Sequence, residues 1–304
     1  MDHSELYELN TIRDWLRYSV SQFYSHDVFL GHGTNDPWQE ARRLVLRTLQ
    51  LPVESGDDIL DARLIRSEKA LLAERLHARC VDKVPTAYLL GEAEFAGINF
   101  VVSRDTLVPR SPFAELILNH FEGVGELPPN PLVLDMCTGS GCIGIACALH
   151  LDAEQVDLVD ISPEALAIAD ENVAIYGLED RVNVVRSDLF CHVSEHQRYD
   201  MIVSNPPYVD AYDMATLPGE YLHEPALGLA AGEDGLALVH TILARAGEFL
   251  TPEGFLVVEV GNSWPALEAA YPNVPFRWLE FERGGHGVFV LTAAELAEHF
   301  GSAA

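Results

Sequence analysis

From about residue 132 onward the chain repeats one arrangement: a short apolar run of strand length, a turn, then a stretch of helical character. Strand-like runs fall at residues 132–135, 156–160, 182–186, 201–204 and 255–260, with helical stretches at 142–150, 163–176 and 236–250. Consecutive parallel strands need a crossover, and helices on both faces leave strands apolar throughout rather than alternating. The alternation therefore predicts an α/β domain built on a doubly covered parallel sheet. A last pair, 277–282 and 288–291, is joined by Arg283-Gly284-Gly285-His286-Gly287, which has hairpin chemistry and predicts a terminal antiparallel strand. Ligands of such sheets sit beyond the carboxyl ends of the strands. The loops that follow each run are the places to look for chemistry.

The first part of the chain has a different rhythm. Leu6, Leu9, Trp15, Leu16 and Val20 recur near helical spacing, and a second helix is expected over 37–49, with Asp36 as cap and Pro37 at the first helical position. A third is expected over 67–79, with Ser67 as cap. GlyHisGlyThr at 31–34 reads as a turn rather than a metal or phosphate site. Around Gly97, residues 95–102 read as two short extended segments, followed by Pro109-Arg110-Ser111-Pro112 and a helix over 113–121. Three parts are expected: a helical N-terminal domain, 1–84; a β-hairpin linker, 85–110; and a catalytic domain, 111–304.

Hydrophobic residues make up 48% of the chain and charged residues 22%, which excludes long disorder and coiled-coil architecture. No apolar run reaches the ~18 residues of a membrane span, and the opening MDHSELYELN lacks a basic n-region, so a cytoplasmic protein without a membrane partner is expected. Five cysteines without CxxC spacing fit neither a disulfide framework nor a zinc ribbon, and no metal is expected. Net charge is −28, unevenly spread: residues 1–84 carry 11 basic and 14 acidic side chains, residues 85–304 carry 8 and 33. A field of that sign repels phosphate backbones and attracts basic partners.

The first chemical motif is Asp135-Met136-Cys137-Thr138-Gly139-Ser140-Gly141, closing a strand and opening a helix. Gly139 and Gly141 let backbone approach a ligand, and the helix start offers unpaired N–H groups. With Gly144 they satisfy the dinucleotide fingerprint, so a nicotinamide-linked oxidoreductase has to be weighed. Against it, the strand ends in a carboxylate, which disfavours a pyrophosphate and suits a cationic ammonium, and the turn is longer than a dinucleotide turn. Asp160, ending the next strand, can accept two ribose hydroxyl protons, a nucleoside signal. In the loop after the third strand Asp188 can bond an exocyclic amine and Leu189 can face a purine.

The sharpest motif is Asn205-Pro206-Pro207-Tyr208, directly after a strand. A planar amide or amino nitrogen is a poor nucleophile because its lone pair is delocalised. Two prolines stiffen the loop, so the Asn205 carboxamide oxygen and the Pro206 carbonyl can accept the hydrogens of an NH₂ group and favour its pyramidalisation. Tyr208 can lie against the flat substrate. With a methyl donor aligned behind the nitrogen, positioning and charge complementarity supply most of the acceleration.

The 135–141 loop, Asp160 and 205–208 resemble the class I S-adenosylmethionine-dependent methyltransferases that modify planar nitrogens. The helical block, Pro109-Arg110 and the NPPY loop are similar to the HemK-like protein-glutamine methyltransferases, over nearly the whole chain. The stretches 31–38, 135–143 and 223–230 look most like members acting on the large-subunit ribosomal protein L-three. The resemblance implies a Rossmann-like fold and methylation of a glutamine side-chain amide. It carries S-adenosylmethionine contacts to Cys137–Gly141, Asp160 and Asn205, and substrate contacts to Asn205, Pro206, Pro207 and Tyr208. Release-factor enzymes of that family usually carry glycine at the place of Cys137 and an aromatic at that of Leu189, and both departures point away from them. NPPY loops also serve nucleobase methylation, but the acidity of residues 85–304 lacks the basic groove that reaction needs. A basic ribosomal protein, met free or early in assembly and without direct nucleic-acid binding, is the expected partner.

Overall fold

The computed structural model describes residue 6 and residues 8–301; residues 1–5 and 7, part of the opening from which a cytoplasmic location was expected, lie outside the described residues. The chain divides into two compact units, Met1–Ala93 with Pro218–His223, and Glu94–Leu217 with Glu224–Ala304.

In the first unit α1 (Ile12–Ser25) starts on a capping box between Thr11 and Asp14, and α2 (Pro37–Thr48) on the expected Asp36 cap with proline in its first turn. The third helix, α3 (Arg66–Cys80), begins before Ser67. Its start is held instead by the Glu68 carboxylate, which accepts the Ile65 N–H at 2.9 Å. Trp15, Leu16, Phe23, Leu44, Leu46, Leu72 and Leu76 close the core between these helices. Beside it lies a buried charge cluster: Arg79 donates to Glu40 (2.8 Å), to Glu220 (3.2 Å) and to the Phe29 carbonyl (2.8 Å). Glu220 comes from the Pro218–His223 segment, which the sequence had placed in the catalytic domain.

The stretch expected as a hairpin linker opens with a short helix, α4 (Thr86–Leu90), stopped by Gly91 in the left-handed conformation. The hairpin itself follows: β1 (Glu92–Phe95) and β2 (Ile98–Val101), turning through Ala96 and Gly97, both at positive φ. The helix α5 (Phe113–Leu118) ends sooner than expected because His120 and Phe121 adopt left-handed backbone.

The second unit holds a seven-stranded sheet of β3 (Leu132–Met136), β4 (Gln155–Asp160), β5 (Val182–Arg186), β6 (Tyr199–Ser204), β7 (Leu250–Glu259), β8 (Arg277–Trp278) and β9 (Val288–Thr292), in the order β5-β4-β3-β6-β7-β9-β8. The first five run parallel and β9 is antiparallel to β7 and β8, as the sequence predicts. β8 is only two residues long, so the connection to β9 is a long loop carrying Arg283–Gly287 rather than a tight turn.

The period of two sorts the strand residues onto two faces. Val133, Leu158, Val203, Val257 and Val290 pack with α5, α6 (Cys142–His150) and α7 (Pro163–Ile175). Leu134, Val159, Ile202, Leu256 and Phe289 pack with α9 (Ala237–Arg245), α10 (Trp264–Ala270) and α11 (Ala293–Phe300). Between β6 and β7 lies a one-turn helix, α8 (Ala211–Met214). From β3 the chain steps outward to β4 and β5, then returns to β6 on the other side. That reversal opens a crevice at the carboxyl ends of β3 and β6.

Candidate active site

The glycine loop leaves β3 at this crevice, and four interactions set its course. Thr138 N–H donates to the Val159 carbonyl (3.0 Å), Gly141 N–H to the Thr138 carbonyl (3.0 Å), and Gly139 N–H to Asp160 Oδ2 (2.9 Å). The fourth comes from buried Asn172 on α7, whose amide donates to the Ser140 carbonyl at 2.9 Å. Gly139 has φ +57° with open space where a Cβ would stand, so the loop is bare on its ligand side. Gly144 serves packing instead: a Cβ there would lie 2.2 Å from Leu158 and 2.9 Å from Asp135. Cys137 adopts φ +60° without being glycine, a conformation that beta-carbon sterics disfavour.

Asp135 is fully buried. Its Oδ2 accepts both the Thr138 hydroxyl (2.5 Å) and the Gly144 N–H (2.8 Å), tying strand, loop and helix together. Its Oδ1, like the Ser140 hydroxyl, is buried with no hydrogen-bond partner among the described residues. Burial pushes the Asp135 carboxyl up to about 7, against the pull of Thr138 and Gly144 and with some help from Asp160. Two orphaned polar atoms under a bare glycine loop fit a ligand that brings donors and a positive charge.

Asp160 ends β4 and spends one lone pair of each oxygen on backbone, Oδ2 on Gly139 N–H and Oδ1 on Ser162 N–H (3.0 Å). The remaining lone pairs are available to two hydroxyls. After β5, Asp188 is exposed and Leu189 buried at φ +46°, a second left-handed non-glycine position on the same edge. The thiols of Cys137 and Cys142 are both held protonated by burial and by neighbouring carboxylates, Cys142 up to about 12. Burial thus disfavours the thiolate at both positions.

Asn205 follows the last residue of β6, whose partner in the ladder is Met136 at the end of β3. Ser204 ties the two strand ends together, its hydroxyl donating to the Met136 carbonyl at 2.8 Å. Asn205 is half-buried, and its carboxamide has no hydrogen-bond partner among the described residues. Pro206 is buried and Pro207 half-buried. Beyond Tyr208 the chain is pinned by a bridge in which Val209 N–H donates to the Leu229 carbonyl (2.8 Å) and Ala231 N–H to the Val209 carbonyl (3.0 Å). Asp135, Asp160 and Asn205 thus lie with the loop 137–141 at the carboxyl ends of β3, β4 and β6.

The sequence did not disclose what supports Tyr208. Its hydroxyl donates to Glu259 Oε1 at 2.9 Å, and Glu259 Oε2 accepts the Ser111 hydroxyl at 2.5 Å. Arg110, noted only as part of a connector, forms a two-pronged pair with buried Glu224 (2.5 and 2.9 Å), which also accepts the Val108 N–H. The one local signal for either pair was a carboxylate in an apolar setting, Glu259 between Val258 and Val260.

A Methyltransferase small domain family model matches residues 114–226. The chain is 43% identical over 292 residues to the ribosomal protein uL3 glutamine methyltransferase of Francisella tularensis, spanning 96% of this chain and 93% of that one. It is 44% identical over 300 residues to the protein of the same name from Bordetella pertussis, spanning 97% and 99%. Among solved structures, the hMettl16 catalytic domain in complex with the MAT2A 3′UTR hairpin 1 superposes with a TM-score of 0.50 at 15% identity, over 77% of this chain and 84% of that one. At that identity the likeness speaks for the class I methyltransferase fold alone.

Proposed function

The chain belongs to the ribosomal protein uL3 glutamine methyltransferases, and from that membership we propose that it transfers a methyl group from S-adenosylmethionine to the side-chain amide nitrogen of a glutamine in uL3. The observation that carries the chemistry is the Asn205 carboxamide, which directly follows the end of β6, has no hydrogen-bond partner among the described residues and precedes two stiffening prolines. When bound, S-adenosylmethionine supplies an electrophilic methyl group on a sulfonium. Cys137, Thr138, Gly139, Ser140 and Gly141 would line it, Asp135 would balance its ammonium, Asp160 would take its ribose hydroxyls, and Asp188 and Leu189 would border its base.

Asn205 Oδ1 and the Pro206 carbonyl accept the two hydrogens of the substrate amide, drawing its nitrogen out of conjugation. Tyr208 lies against the amide plane and limits its rotation. Holding nitrogen and methyl carbon in line removes most of the entropic barrier, so no strong base has to act first. The N–C bond forms as the sulfonium C–S bond breaks, leaving a neutral thioether, and the alkylated nitrogen, now more acidic, gives its proton to water.

Charge supports a basic protein target over a nucleic acid, since residues 85–304 carry 8 basic and 33 acidic side chains. The work falls in the cytoplasm on uL3 that is free or newly joining the ribosome, before RNA covers it. The test offers tritiated S-adenosylmethionine with isolated uL3, finished large subunits, and protein-free ribosomal RNA. Label on a glutamine of isolated uL3 is expected. Label on RNA, or faster labelling of finished subunits, would overturn the reading.

A further inference from the structure

Glu259 is a buried carboxylate at the end of a strand whose other neighbours are apolar, and the methyl-transfer chemistry above makes no use of it. Only 5% of it is exposed. A carboxylate there carries a desolvation penalty that sheet packing alone would avoid with a valine. What it gains is two O–H donors, Tyr208 on one oxygen and Ser111 on the other. Arg110 adds a favourable charge from the adjoining segment.

Two further contacts converge on the same tyrosine. Ser263 donates its hydroxyl to the Tyr208 carbonyl at 2.9 Å. Gly261, at φ +45°, lies under the ring: a Cβ there would stand 2.5 Å from Tyr208 Cε2 and 2.9 Å from Cζ. The residues at 259, 261 and 263 therefore grip the hydroxyl, the ring and the main chain of Tyr208 in turn. A tyrosine ring is otherwise free over a broad χ2 range.

We propose that Glu259 is a positioning residue for the methyl transfer, holding the Tyr208 ring in a single orientation across the substrate amide, with Gly261 and Ser263 completing the cradle. The proposal rests on the glutamine-amide reading above for what the ring faces. Glu259 touches neither substrate nor donor and acts through the tyrosine. Its effect belongs to kcat, because an amide allowed to rotate still binds but spends less time aligned.

The experiment compares E259Q, E259L, Y208F and the double variant Y208F/E259Q, using isolated uL3 and S-adenosylmethionine, with the donor Kd measured by calorimetry. Y208F and E259L should each lower kcat about tenfold while leaving the donor Kd within about twofold, and E259Q, which keeps only a weaker, uncharged acceptor, should lower kcat about threefold. In the Y208F background E259Q should change nothing further, because the link it weakens is already gone. A Y208F enzyme with full kcat, or an E259Q effect of equal size in both backgrounds, overturns the proposal. Y208F and E259Q are near-isosteric, so the comparison stands even if E259L does not fold. Crystal structures of wild type and of E259L, or of E259A if E259L does not fold, supply a readout independent of uL3: a Tyr208 ring unmoved in the variant also overturns it. If wild-type enzyme leaves uL3 unlabelled, the functional reading fails while that ring position still decides the role of Glu259.

Discussion

Replacing Asp135 with asparagine should make the free protein more stable at alkaline pH and, at the same time, a poorer binder of the methyl donor. Burial raises the carboxyl from 3.8 to about 7. The folded state therefore holds a proton more tightly than the unfolded chain does. The sign follows: this group favours the fold at low pH, and that contribution declines as pH climbs from about 4 to about 7 and is gone above. Between pH 5 and pH 7 the change is two pH units at about 1.4 kcal/mol each, so about 3 kcal/mol is lost. Asparagine mimics the neutral acid, since both donors, Thr138 and Gly144, already share one oxygen of the side chain. The buried far atom lacks a partner in either neutral form, so that penalty cancels in the comparison.

For a cooperative unit of roughly 200 residues, about 3 kcal/mol corresponds to roughly 6–12 °C in Tm. Thermal unfolding of both proteins without donor, from pH 5 to pH 8.5, should show curves that diverge by about that amount toward the alkaline end. Saturating S-adenosylmethionine should reverse the order at pH 8.5, because its ammonium stabilises the ionised wild-type carboxylate and finds no charge in D135N. Parallel melting curves across the pH range, or equal stabilisation of both proteins by the donor, would refute the assignment of a buried charge kept for the ligand.

Asn205→Ala should lower kcat at least about 100-fold with unchanged circular dichroism, as expected when a transition-state acceptor is removed; a near-normal rate would exclude its role. Asp160→Ala removes the carboxylate that holds both Gly139 and Ser162, and calorimetry should show a donor Kd raised about tenfold or more, whereas the KM for uL3 should move little. Gly144→Ala forces a methyl group to within 2.2 Å of Leu158, and denaturant unfolding should register a loss of about 1–3 kcal/mol.

How much of this was legible beforehand varies with the range of the interaction. Asp36 before Pro37, the helix at 142–150 and the strand at 182–186 were readable because caps and periodicity are decided within a few residues. Ser67 misled, since a serine caps only from the non-helical position just before a helix, and here Ser67 lies inside the helix while Glu68 reaches back to Ile65. At the 277–287 end, residue types suited to a turn overstated the strand: β9 pairs with β7 along its whole length, leaving β8 only two rungs. In the site, Asp135, Asp160 and Asn205 could be placed on one edge because each lies at or just beyond the carboxyl end of a strand. Asn172, Ser111 and Glu259 could not, since nothing near them in the chain points to the groups they bind.

The amino-acid order by itself determined the alternation of strands and helices, the bare glycine loop, and the stiffened NPPY turn, all of which are settled by backbone sterics and apolar period over short spans. The tertiary structure decided the rest. Tyr208 meets Glu259 from 51 residues away in the chain, and Glu259 in turn meets Ser111 from 148 residues away. Arg110 closes on Glu224, and the 218–223 segment leaves the catalytic unit to bring Glu220 to Arg79. A buried charge tolerates desolvation only beside its partner, and which partner arrives depends on strand order and chain path, quantities that no local pattern encodes.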